Sequence, residues 1–237
     1  MTEKQSEQSV IDNLKYIRER ISVAAKKSGR DEKDVHLMAV TKTVFPDLVN
    51  VAIQNGVDLL GENRVQEFLD KRDSYIKNSQ VHFIGHLQTN KVKYIIDKVS
   101  MIQSVDSLKL AKEISRCALK NDIVMDILVE VNIGEEESKS GVCPENVFEI
   151  VEEISKLPGV CIKGIMSIPP ICEKKEDSLK YFSQLRQIFI DIKGKNIDNV
   201  YMEYLSMGMS QDYEAAVEMG ANIVRIGSLL FGKRNYN

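Results

Sequence analysis

Tryptophan is absent from these 237 residues, and cysteine and proline are scarce, at four and five. The thiols, Cys117, Cys143, Cys161 and Cys172, form no CxxC pair and have no histidine at metal-ligand spacing, which argues against a disulfide framework and against a metal site. No apolar run approaches the roughly 20 residues that a bilayer-spanning helix needs, and the N-terminus is polar rather than signal-like. The expectation is a reduced, cytoplasmic protein with free thiols and no membrane partner. A basic face is lacking too: the net charge is −3, with lysine and acid spread along the chain, so nucleic acid is not an expected partner. No Pro, Gly or Ser-rich linker and no internal repeat divides residues 1–237, so they are expected to form one domain, at a length where single α/β barrels of about 250 residues are common.

What is present is an alternation. From Ser6 to Lys27, apolar residues at Val10, Ile11, Leu14, Ile17, Ile21, Val23 and Ala24 recur at helical spacing before Gly29, which predicts an N-terminal helix. Short apolar runs then begin near positions 36, 59, 81, 101, 125, 162, 201 and 223, separated by amphipathic stretches at 47–54, 65–75, 91–97, 108–119, 145–157, 178–192 and 213–219. Strand-then-helix alternation predicts parallel strands with crossover helices, and eight such units most economically close into a (β/α)8 barrel with an extra N-terminal helix. A doubly wound open sheet is the alternative.

In such a barrel the chemistry sits where each strand turns polar. Strand one ends in Lys42, flanked by Val40 and Val44, whose apolar surroundings favour the neutral amine that attacks an aldehyde. Strands seven and eight end in Ser206-Met207-Gly208-Met209-Ser210 and in Arg225-Ile226-Gly227-Ser228, two turns whose hydroxyls and glycines can cradle a phosphate. Either turn alone is ordinary cap chemistry, but adjacent final strands are where barrels commonly build phosphate sites. Schiff-base lysine and phosphate cradle are the two ends of pyridoxal phosphate. Arg225, between Val224 and Ile226, must find a partner or face the mouth, where it could hydrogen-bond a pyridine nitrogen. His86, in Gly-His-Leu-Gln, is a general base or a loop histidine. His36 and His82, at strand starts, are expected to lie on the face opposite the chemistry. Glu135 to Gly141 reads as a solvated loop placed where a lid could form.

Five ordered motifs carry a resemblance that covers nearly the whole chain. They are Ala39 to Lys42, Gly61 to Glu67, His82 to Lys91, Leu205 to Ser210, and Val224 to Ser228 with Phe231-Gly232. In these the chain resembles the pyridoxal phosphate homeostasis protein family, related to the N-terminal barrel of alanine racemase. The resemblance implies a fold-type III pyridoxal phosphate barrel, with Lys42 as the Schiff-base lysine and Arg225 at the ring nitrogen. It implies a phosphate cradle of Ser206, Met207, Ser210, Gly227 and Ser228, with Asn63 beside the ring and Met166 on the barrel wall.

Racemisation needs a base on each face of the ring, and Lys42 serves one. In related racemases the second comes from a C-terminal β-domain, and the chain ends at Asn237, shortly after the last strand, so that domain is expected to be missing. The reading is therefore a non-catalytic, vitamin B6-binding carrier that keeps a reactive aldehyde low in free concentration. It is expected to be a monomer, with apo forms of pyridoxal phosphate enzymes as possible recipients. A slow racemase or lyase with His86 or Tyr204 as opposite base is the alternative. A sugar-phosphate isomerase with Glu62 as base is a weaker third reading.

Overall fold

The strands close on themselves. In a computed structural model describing residues 6–136, 138–170 and 175–232, β1 (His36–Val40), β2 (Leu59–Glu62), β3 (Val81–Phe83), β4 (Met101–Val105), β5 (Met125–Glu130), β6 (Val160–Met166), β7 (Val200–Ser206) and β8 (Ile223–Ile226) pair in sequence order as a closed parallel barrel. The closing pair, β8 with β1, sets Met38 beside Arg225. Cys172 and Glu137, named above, lie outside the described residues.

Helix α1 (Glu7–Lys27) starts on a Ser6 cap whose hydroxyl accepts from the Ser9 amide, and precedes the barrel. The crossovers are α2 (Pro46–Gln54), α3 (Val65–Lys71), α4 (Val92–Ile95), α5 (Leu108–Lys120), α6 (Val147–Ser155), α7 (Lys175–Gly194) and α8 (Tyr213–Glu218), and α9 (Ser228–Phe231) follows β8. The stretch expected as one helix over 65–75 is broken: α3 stops at Lys71, and a tight turn, Arg72–Ser74, brings Tyr75 inward to a hydrogen bond with Glu62. β6 begins at Val160 and β7 at Val200, slightly earlier than read from sequence. Helix α9 was not anticipated. Its Leu229, Leu230 and Phe231 extend the apolar run of β8, and the helix is marked only by the Leu230 and Phe231 amides turning back to the Gly227 carbonyl.

Alternation along each strand gives the barrel two faces. Outward residues such as Leu37, Ala39, Leu60, Phe83, Ile102, Ile127, Val129, Ile165 and Val224 join the helices in the main core. Inward, Met38, Val40, Leu59, Ile84 and Ile223 pack against Tyr204, as do Met101, Leu128 and Met166 from the other side. Helix α1 is tied to the last units of the barrel. Arg30 donates to the carbonyls of Val217 at 2.7 Å and Ala221 at 2.9 Å, Arg20 pairs with Glu214, and Asn13 donates to the Leu230 carbonyl at 3.0 Å. Among the described residues no helix is long and apolar enough to cross a membrane, and no cluster of His, Cys, Asp and Glu could hold a metal ion.

Candidate functional site

Closure places the residues singled out in the sequence at one end of the barrel. Asn63 follows β2, Lys42 follows β1, Arg225 to Ser228 close β8, Ser206 to Ser210 close β7, and Met166 ends β6. Those strands are consecutive around the barrel, so residues some 180 apart in sequence share one half of its carboxyl mouth.

Lys42 lies just past β1, half-buried, on a turn in which the Val44 amide donates to the Thr41 carbonyl at 3.0 Å. Thr43 in that turn has φ +63°, a left-handed conformation that a β-branched residue adopts only under constraint. Constraint comes from α3. Glu67 accepts from the Thr43 amide, and the Lys71 ammonium donates to the Thr41 carbonyl at 2.9 Å.

Arg225 is 3% exposed, an arginine held inside the barrel. It donates to the Ser206 hydroxyl at 2.7 Å and to the Ser167 carbonyl at 2.7 Å. The Ser206 hydroxyl donates in turn to Gln103 Oε1 at 2.8 Å, and Gln103 Nε2 lies 2.8 Å from His82 Nδ1. A polar chain thus crosses the interior from β3 through β4 and β7 to β8. His82, expected on the opposite face, belongs to this chain, because the middle residue of the three-residue β3 points inward. Burial lowers the Arg225 guanidinium to about 10, against the pull of Glu130 and Asp212.

Glu130, which the sequence did not single out, ends β5 and is buried. Burial, with Asp106 nearby, pushes its carboxyl up to about 7, and Arg225 opposes the rise. Burial, with His36, lowers His82 to about 4. The two have opposite linkage. Between pH 4.5 and 7 the folded chain keeps a Glu130 proton that the unfolded chain releases, so this contribution to stability falls as pH rises. Between pH 6.5 and 4 the unfolded chain takes a proton that folded His82 refuses, so that contribution falls as pH falls. Each is on the order of 3 kcal/mol, and they offset one another where the windows overlap. Glu130→Gln is expected to remove the first contribution. Its stability should gain on the parent chain progressively from pH 4.5 to 7, read as urea midpoints across that range. Parallel curves would contradict the assignment of Glu130.

The β7 and β8 turns are bonded to each other. Ser210 Oγ accepts from the Leu229 amide at 3.3 Å and the Arg225 amide donates to the Gly208 carbonyl at 3.0 Å, while within the β7 turn Asp212 accepts from the Met209 amide at 2.6 Å. Met166 and Met207 are fully buried beside them. Ser206 differs from Ser210: its hydroxyl is committed to Arg225 and Gln103, inside the barrel. Ser228 starts α9, capped by Gly227.

Asn63 presents a buried Oδ1 with no hydrogen-bond partner, an acceptor that a ligand donor would satisfy. Its backbone is pressed against Gly85, where a Cβ would stand 2.2 Å from the Asn63 carbonyl oxygen and 2.7 Å from its Cα. Gly85→Ala is expected to displace Asn63 and cost about 1–3 kcal/mol of unfolding free energy, an overpacking penalty read as a lower urea midpoint. An unchanged midpoint would show that the strand ends part without cost.

His86 is largely exposed, with Nδ1 3.2 Å from Asp106 and 3.1 Å from Ser140 Oγ in the loop after β5. Tyr204 lies deeper, inside the barrel, its ring centroid 6.0 Å from that of His36 at the start of β1 and its side chain packed with the inward clusters that include Val40 and Met166.

The chain matches the family described as alanine racemase, N-terminal domain, over residues 13–235. It is 47% identical over 227 residues to the pyridoxal phosphate homeostasis protein of Aquifex aeolicus, covering 95% of this chain and 98% of that one. Among solved structures it is similar to an unknown protein from Bifidobacterium adolescentis, with a TM-score of 0.91 and 33% identity over 95% of each chain. It is also similar to PipY of Synechococcus elongatus with PLP bound, with a TM-score of 0.82 and 28% identity over 94% of this chain and all of that one.

Proposed function

The chain belongs to the alanine racemase N-terminal domain family and, within it, to the pyridoxal phosphate homeostasis proteins, and from this we propose that it binds pyridoxal 5′-phosphate at the barrel mouth and regulates its supply. The observation that carries this reading is the β8 to β1 closure. It brings an amine at Lys42, a buried cation at Arg225 and the paired turns of Ser210 and Ser228 to neighbouring strand ends. The residues fit the group. The β7 and β8 turns, with Met207, Ser210, Gly227 and Ser228, would hold its phosphate, while the Ser206 hydroxyl would hold Arg225. Arg225 would meet the ring nitrogen, Asn63 Oδ1 would accept from the ring's hydroxyl, and Met166 would line the wall. When bound, the group supplies an aldehyde that condenses reversibly with an amine. Lys42 Nζ would contribute its lone pair to the aldehyde carbon, and its two protons would leave with the carbonyl oxygen as water.

An arginine at the ring nitrogen would donate to it and disfavour its protonation, which would make the ring a weaker electron sink and suits holding over turnover. Tyr204 packs edge-on to His36 inside the barrel, which supports holding over turnover, whereas His86, held through Nδ1 by Asp106 and Ser140, is the second base that the racemase alternative would use and that proton exchange into deuterated solvent tests. The protein is read as a non-catalytic, monomeric carrier whose recipients are apo forms of pyridoxal phosphate enzymes. Mixing the loaded chain with such an apoenzyme tests this directly. Recovery of the recipient's activity, with negligible α-proton exchange into deuterated solvent when amino acids meet the loaded chain alone, is the expected result. Rapid exchange with no transfer would favour a racemase instead.

A further inference from the structure

We propose that Lys71 and Glu67 are positioning residues for Lys42, a two-residue clamp on the far side of its turn that sets the direction of the reacting amine. The inference rests on the reading that Lys42 forms the covalent link.

Helix α3 packs its last turn behind the segment joining β1 to α2. From there the Lys71 ammonium reaches the Thr41 carbonyl at 2.9 Å and the Val44 carbonyl at 3.5 Å, the two ends of the turn. Glu67, one helical turn earlier, accepts from Lys71 at 2.8 Å and from the Thr43 amide between those ends. Lys42 is thereby bracketed, with its preceding carbonyl and its following amide each held by a charged side chain. The clamp is itself anchored. Lys71 is 3.6 Å from Glu62, a carboxylate with no solvent exposure that also accepts from the Thr41 hydroxyl at 2.8 Å and from Tyr75. Burial would raise the Glu67 carboxyl, but its bonds from Lys71 and the Thr43 amide bring it below its ordinary value, so it carries charge at neutral pH.

The turn needs this help because Thr43 has φ +63°. Threonine is disfavoured there, and strained backbone persists only where its surroundings over-determine it. Without the two charged contacts the turn would relax toward negative φ and swing the Lys42 side chain, while the phosphate turns on β7 and β8 would be untouched. A group that acts through orientation should therefore affect covalent capture and spare non-covalent binding.

The test compares two ligands. Pyridoxal 5′-phosphate reports both phosphate binding and capture by its visible absorbance, whereas pyridoxine 5′-phosphate, which has no aldehyde, reports binding alone. Lys71→Met is expected to weaken capture about tenfold, the scale of one lost charged hydrogen bond, with pyridoxine 5′-phosphate affinity changed less than about twofold. Lys71→Arg should retain most of the capture, and Thr43→Gly added to Lys71→Met should restore it, since glycine accepts positive φ unaided. Glu67→Gln gives the same split and serves if Lys71→Met does not fold. Equal weakening of both ligands, or no change in either, would overturn the clamp while leaving the proposed function standing. A parent chain that never develops the band would overturn both.

Discussion

Replacing Lys42 with alanine is expected to abolish the visible absorbance that pyridoxal phosphate acquires on mixing with the protein, while shifting the urea midpoint by the equivalent of no more than about 0.5–1 kcal/mol. The two halves of this expectation have separate causes. Lys42 is half-buried on a turn beyond the end of β1, outside the hydrophobic clusters that pack either face of the strands. The turn itself is held through backbone groups of Thr41, Thr43 and Val44, which alanine leaves in place. Lys42→Arg should also lose the band, because guanidinium keeps the charge but offers no neutral amine. A surviving band in either variant would place the reacting amine elsewhere. A collapse of the unfolding transition in both would make Lys42 a structural residue.

Arg225→Leu is expected to cost about 3 kcal/mol in unfolding free energy, a far larger effect than at Lys42. A leucine fills much of the same volume, so the cost lies in what is left behind. The Ser167 carbonyl loses its 2.7 Å donor in a buried place, Ser206 loses its 2.7 Å donor, and Glu130 loses the cation that moderates it. The Ser206 bond to Gln103 would survive, so the polar chain would shorten rather than vanish. Adding Glu130→Gln to Arg225→Leu should recover part of the loss, because a neutral amide needs no counter-charge. Urea unfolding of the two single variants and the double variant at pH 7.5 measures this. A loss below about 1 kcal/mol would mean that the interior chain contributes little beyond packing.

Most of this architecture was legible from periodicity. The eight apolar runs fall on the eight strands, and the strand-end rule points to Lys42, Arg225 and the serine turns, while Asn63 comes from the family resemblance. Residues whose role depends on a partner far along the chain were not legible. His82 sits in a strand of three residues, too short for alternation to say which way its side chain faces, and its link to Arg225 runs through Gln103 and Ser206. Gln103 and Ser104, in the otherwise apolar strand Met101–Val105, and Glu130, at the end of Met125–Glu130, were the available signal, since a polar group in a buried strand needs a partner. The clamp behind Lys42 escaped for another reason. The stretch 65–75 has continuous helical spacing, and it is the break after Lys71 that brings Tyr75 to Glu62 and leaves Lys71 facing the turn.

One amine at the barrel mouth, Lys42, is proposed to hold pyridoxal phosphate covalently. Borohydride reduction of the loaded chain, followed by peptide mapping, tests it most directly, because reduction makes the link permanent at whichever lysine carries it. A single modified peptide containing Lys42 is the expected result. Label spread over surface lysines, or found on another residue in preference to Lys42, would contradict it.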